Sequence, residues 1–198
     1  MMNDAEPVPG RVALHSRQIS FQSFARPDGL WDVEGSLRDV KEVRIERPSL
    51  PPLMPGDTVH DMHVRVTVDD DLRIVAIAAR LAAAPFDECQ MTRDAVQRLV
   101  GRQLGRGWHG ALQEVMGGVQ GCTHLRELLQ ALATAAIQGI SVYRDQRRRD
   151  SAPWGDITVV PHFVGGCMSW RQDGPVVRRL LPQFAAPSIS TPPESTEE

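Results

Sequence analysis

Apolar and polar positions alternate most strictly at Met62, Val64, Val66 and Val68 against His63, Arg65 and Thr67. That period of two predicts a strand with one buried and one polar face. Asp69-Asp70-Asp71 then makes a turn, and Leu72 to Leu81, rich in Ile, Val and Ala, reads as a second strand. Earlier in the chain, Arg17 to Phe24 alternates imperfectly and Leu30 to Val40 returns with Leu30, Trp31, Val33 and Leu37. Between them stands Arg26-Pro27-Asp28-Gly29, where Pro presets φ and Gly accepts a positive one, so the pair reads as a hairpin. Pro48 to Asp57 reads as a rigid, Pro-rich loop.

Beyond residue 86 the period changes to that of a helix. Asp87-Glu88-Cys89-Gln90 fits a capping-box-like start, followed by Val96, Leu99, Val100 and Leu104. Gly105 and Gly107 break that run. Trp108, Leu112, Val115 and Met116 predict a short second helix ended by Gly117-Gly118. Leu125, Leu128, Leu129, Leu132, Ala136 and Ile140 predict a long amphipathic helix with Thr123 as its N-cap. The basic run Arg144 to Asp150 reads as a solvated helix end. Ile157 to Val160 and Asp173 to Leu181 look extended. Strands followed by helices make the chain α+β, an antiparallel sheet with three packed helices. The expected organisation is a flexible terminus over 1–10, one domain over 11–182 and a disordered Pro/Ser/Glu-rich tail over 183–198.

Composition narrows the function. A net charge of -3 gives no reason to expect nucleic acid as a partner. No apolar stretch is long enough to span a bilayer, and the first residues lack a basic and apolar leader. The cysteine count, 3, is odd and widely spaced, which is not a secreted disulfide framework. These features predict a cytoplasmic protein with reduced thiols; a small-molecule ligand and a homodimer are partners compatible with them.

Two of the thiols stand where a loop turns into a helix. Cys89 follows Pro85-Phe86-Asp87-Glu88, and Cys122 opens Cys122-Thr123-His124 after Gly121. A helix N-terminus favours a thiolate, and thiolates are ligands and nucleophiles. Cys89, Cys122 and His124 together with His60, at the entrance of the alternating strand, make a mixed S/N set suited to zinc or iron. Glu34 and Asp39 are the candidate bases of a metal-dependent enzyme acting on a small organic substrate, and Arg17 or Arg26 the anion holder, with Arg26 preferred. Cys167 is either a third thiol ligand or a packed strand residue. Two other readings stand beside the metal enzyme. One is a non-catalytic accessory or binding module. The other is a metal-free cysteine nucleophile with His124 as its base. The Gly-rich pieces match neither a phosphate-binding loop nor a dinucleotide fingerprint, and no nucleophile elbow is present.

The segments Arg26 to Asp39 (Arg-Pro-Asp-Gly-Leu-Trp-Asp-Val-Glu-Gly-Ser-Leu-Arg-Asp), His60-Asp61-Met62, Pro85 to Cys89 and Gly121 to Leu125 resemble a bacterial family catalogued as domain of unknown function 2889. The likeness spans roughly residues 15–142, with a weaker match from Cys167 to Val177. It implies no activity. Residues 57–140 are also similar in layout to the iron–sulfur cluster assembly scaffold proteins. Asp61-Met62 and the strand pair through Ile74 match their sheet, Cys89 their middle ligand, Cys122 their last, and Leu125 to Ile137 their terminal helix. The scaffold's first cysteine is missing here, with His60 as nearest substitute, and its His-Cys order becomes Cys-Thr-His. That resemblance implies a scaffold-like fold with an added N-terminal hairpin, and a fixed metal site rather than a cluster donor.

Overall fold

The computed structural model describes residues 9–149, 160–161 and 163–187. The chain divides into two compact units, Met1–Tyr143 and Arg144–Glu198.

In the first unit the predicted hairpin is β1 (His15–Ala25) and β2 (Trp31–Lys41). A short hairpin follows, β3 (Ile45–Arg47) and β4 (Leu50–Leu53), where the Pro-rich loop was expected. Ser49 turns it with a φ of 61°, and Pro51 and Pro52 sit on a strand short enough to spare their missing N–H groups. β5 (Thr58–Val68) and β6 (Ile74–Ala83) are the predicted strand pair. The four long strands form one antiparallel sheet in the order β1-β2-β5-β6.

Alternation decides which face meets the helices. Trp31, Val33 and Leu37 of β2 and Met62, Val64 and Val66 of β5 are buried on one side. Register places Leu37 opposite Met62, Gly35 opposite Val64 and Val33 opposite Val66. Continuing that parity, Asp39 and His60 fall on the same inward face, directly opposite each other.

The helical layer covers this face. Residues Asp87–Leu99 coil as 3-10 turns rather than the expected α-helix, with Val96 and Leu99 buried as their spacing predicted. Phe86, not Asp87, is the N-cap, and no side chain caps it. Gln90 does not close a capping box because its amide donates to the Leu81 carbonyl at 3.1 Å, while Gln97 donates to Ile77 at 2.6 Å. These two bonds tie the segment to β6 at the cost of regular helix. Next come α1 (Trp108–Met116) and α2 (Thr123–Ala136). The Trp108 indole donates to the Leu129 carbonyl at 2.9 Å and locks the pair together. Cys122 rather than Thr123 is the N-cap of α2. Leu125, Leu128, Leu129, Leu132 and Ala136 are buried, as expected, and α2 packs on β1 and β2. The helix widens to a π turn over Ile137–Ser141 and continues as α3 (Val142–Arg149). Gly139 in that turn lies against β1: a Cβ there would stand 2.6 Å from the Ser23 hydroxyl.

In the second unit, the segment expected to be extended contains a helix, α4 (Pro175–Leu180). Pro175 at its first turn has a preset φ and needs no N–H partner there. Cys167 is exposed among turns, not packed in a strand. The expected strand Ile157 to Val160 lies, apart from Val160, outside the described residues, as does most of the expected tail. Among the described residues no helix is long and apolar enough to cross a membrane.

Candidate metal centre

Three neighbouring strands each contribute one residue in a row across the inner face. Arg17 of β1 is opposite Asp39 of β2, and Asp39 is opposite His60 of β5. The β2–β5 register shifts immediately after Asp39, a bulge of the kind that re-aims side chains. Above this row, the first turn of α2 delivers His124.

The Asp39 side chain is only 1% exposed, and both its oxygens are engaged. Arg17 Nε donates to Oδ1 at 2.7 Å and Nη2 to Oδ2 at 2.8 Å, a bidentate fork. His60 Nδ1 stands 2.8 Å from Oδ2, and His15 Nε2 lies 3.4 Å from Oδ1. Arg17 also donates from Nη1 to Glu127 at 2.6 Å, linking the strand to α2. Burial alone would push the Asp39 carboxyl up, but the Arg17 and His60 hydrogen bonds outweigh it and hold it at about 2. The centre therefore carries a fixed carboxylate under ordinary conditions.

His124 stacks on His60 with ring centroids 3.7 Å apart and planes tilted by 33°. Its Nε2 faces Asp39 Oδ2 at 4.0 Å, and its Nδ1 faces Cys122 Sγ at 3.9 Å. Burial, followed by the charges of His60 and Arg17, lowers its pKa, so the ring stays neutral with a lone pair to offer. One ligand atom each from Asp39, His60 and His124 lies within 4.8 Å of the others. Two imidazoles and a carboxylate converging at that separation can surround one cation.

The residues singled out in the sequence are distributed unevenly around this point. His60 and His124 meet, as the mixed-ligand reading expected. Asp39, expected as a base, stands instead in the group of side chains that could hold a cation. Cys122 touches His124 from the side away from Asp39, so it borders the group without joining it. Cys89 joins no such group among the described residues; it is half-buried, packed against the core at the start of the 3-10 turns. Glu34 is an odd number of positions from Asp39 and so falls on the opposite, outer face of β2. There it pairs with Arg65 at 2.8 Å and lines a groove of about 510 Å³. Arg26 is spent at the hairpin turn on Asp28, at 2.7 Å, and on Asp32. Arg17, the less favoured of the two arginines, is the one at the centre. Its signal was present in its odd-numbered parity with Phe21, which covers Gly35 on the inner face. Glu127 was not singled out at all; it follows His124 by one helical turn.

A family model described as "Protein of unknown function (DUF2889)" matches residues 15–138. That span takes in the whole four-stranded sheet, α1, α2 and every residue of the centre. No curated protein and no solved structure matches the chain. The likeness to iron–sulfur scaffolds therefore gains no support from known structures.

Proposed function

The chain belongs to the DUF2889 family, and we propose that it is a metal-binding protein whose Asp39, His60 and His124 hold one divalent transition-metal cation, zinc or ferrous iron. The convergence of their ligand atoms within 4.8 Å carries this reading. Imidazole nitrogen suits zinc and iron, whereas magnesium and calcium prefer all-oxygen shells. Two histidines and one carboxylate fill only part of a coordination sphere, and an open position is what catalytic zinc and non-haem iron sites share. A cation there would act as a Lewis acid on a small organic substrate or on water.

The chain's own residues make the set usable. Arg17 fixes the Asp39 rotamer with one bond to each oxygen and so uses only two of the carboxylate's about four acceptor positions. Ligating side chains must be deprotonated, so uptake weakens in acid. His124 is already neutral. Elemental analysis of protein purified without a chelating tag tests the reading. Near-stoichiometric zinc or iron in wild type, lost in His60→Gln/His124→Gln and kept in Cys89→Ser, is expected. A wild type that stays metal-free after dialysis against either cation, with iron kept anaerobic, overturns it.

A further inference from the structure

We infer that the β1 edge of the sheet is a homodimer seam, where β1 of a second copy of this chain pairs antiparallel to it about a two-fold axis at Ser20. β1 is the first strand of the sheet and pairs there only with β2, so one side of its backbone lies at the edge. The hairpin decides which groups face outward. The Arg26 N–H donates to the Leu30 carbonyl at 3.0 Å, and at the far end the Glu42 N–H donates to the Leu14 carbonyl at 3.2 Å. Even-numbered residues of the strand therefore bond to β2. The N–H and C=O groups of Arg17, Ile19, Phe21 and Ser23 point the other way, and among the described residues nothing bonds to them.

The fold treats its two edges differently. On β6, Gln90 and Gln97 occupy the Leu81 and Ile77 carbonyls, and Ile74 bonds to Arg102 and Gly101 at 2.8 Å. β1 has no such cover among the described residues, and it lacks the devices that keep an edge from pairing. Its 11 residues hold no Pro, Lys, Asp or Glu, and its register with β2 runs without a bulge. Its one arginine is spent on Asp39 and Glu127.

The occupant is a second copy because the strand complements itself. About Ser20, Ile19 falls opposite Phe21 and Gln18 opposite Gln22, apolar against apolar and amide against amide. Arg17 falls opposite Ser23, so no like charges meet. Ile19, 37% exposed in the single chain, gains cover. The axis stands normal to the sheet, which keeps both helical layers on one side. Strands lie about 4.8 Å apart and α2 packs on both β1 and β2, so the two α2 copies stand about 10 Å apart, a spacing at which helices pack without overlap. The product is one continuous sheet with four strands from each copy. The seam neither needs the cation nor rests on the metal reading.

The test is sedimentation equilibrium of the full chain in EDTA across the micromolar range, joined to disulfide trapping. Wild type is expected at twice the chain mass. Ser20→Lys sets two ammonium groups face to face at the axis and halves that mass. Ile19→Pro halves it too, because the N–H it removes points outward and no bond to β2 is lost. Circular dichroism shows that both variants are folded. Across the seam the two copies of Ser20 form a non-hydrogen-bonded pair with Cα atoms about 4.5 Å apart, within reach of a disulfide. In a Cys167→Ser background, which removes the exposed thiol, Ser20→Cys is expected to link two chains on mild oxidation. Gln18→Cys, far from its own copy, is expected to stay single. A single-chain mass for wild type throughout, a dimer unchanged in folded Ser20→Lys and Ile19→Pro, or Ser20→Cys linking no faster than Gln18→Cys overturns the inference.

Discussion

Asp39 and His60 face each other on adjacent strands, Oδ2 2.8 Å from Nδ1, at the point where the β2–β5 register slips. The carboxylate between them and Arg17 is the charge around which the centre is built. Its acid behaviour follows. Burial opposes ionisation, yet the Arg17 and His60 bonds hold the folded carboxyl at about 2, below the unfolded value near 4. A depressed pKa stabilises the fold above the unfolded value and loses that contribution as pH falls toward the folded one. The loss amounts to about 2 kcal/mol between about pH 5 and pH 2. Urea denaturation across that range, in EDTA, measures it. Asp39→Asn flattens this part of the profile; an unchanged slope in the variant contradicts the assignment.

His124 also costs the fold stability on the acid side. Burial, then the charges of His60 and Arg17, depress its pKa, so the unfolded chain binds the proton more readily. Stability therefore falls as pH drops through the unfolded value near 6.5. Imidazole NMR of the metal-free protein is expected to show a His124 midpoint below about 6.5. In His60→Gln the midpoint rises toward that value, because one neighbouring charge is gone while burial remains. A midpoint at or above it in wild type contradicts the neutral ring.

Gly121 sets the approach of α1 to α2. A Cβ there would stand 2.8 Å from Met116 Cβ and 2.9 Å from its Cα and carbonyl oxygen, and backbone cannot swing aside as a side chain does. Gly121→Ala is expected to cost about 1–3 kcal/mol in chemical denaturation. It also shifts Cys122 and His124, so cation uptake weakens in the same variant. Wild-type stability and wild-type uptake would show that the contact is slack.

Cation binding couples to unfolding. A ligand that binds only the native chain raises its stability by about 2.7 kcal/mol at 100 times its dissociation constant. Zinc is expected to raise the melting temperature of EDTA-stripped wild type and to leave His60→Gln/His124→Gln unmoved. An equal rise in both would place the binding elsewhere.

Most of the architecture was legible because it is local. The alternation at Met62 to Val68 and the helical spacing from Leu125 to Ala136 each name their buried face without a partner. The same alternation contained more of the centre than a search for metal-ligand motifs reveals. Asp39 keeps parity with Val33 and Leu37, His60 with Met62 and Val64, so both had to face inward. Glu34 breaks that parity and had to face outward. The cysteines drew attention for a physical reason that says nothing about convergence. A thiol near a helix start is a local pattern, whereas meeting another ligand depends on strand register and helix placement, which lie far apart in sequence. The capping of Asp87 failed similarly: Gln90 and Gln97 find β6 carbonyls that no local reading can see. At α4 the error was one of emphasis, since Pro175 after Gly174 already marks a helix start.

The most direct measurement is anomalous diffraction at the zinc edge from a crystal of the EDTA-stripped chain soaked in zinc. The account predicts a peak about 2.0–2.2 Å from an imidazole nitrogen of His60, one of His124 and a carboxylate oxygen of Asp39. A fully soaked crystal with no peak at that point, or with its strongest peak at Cys89, would contradict it.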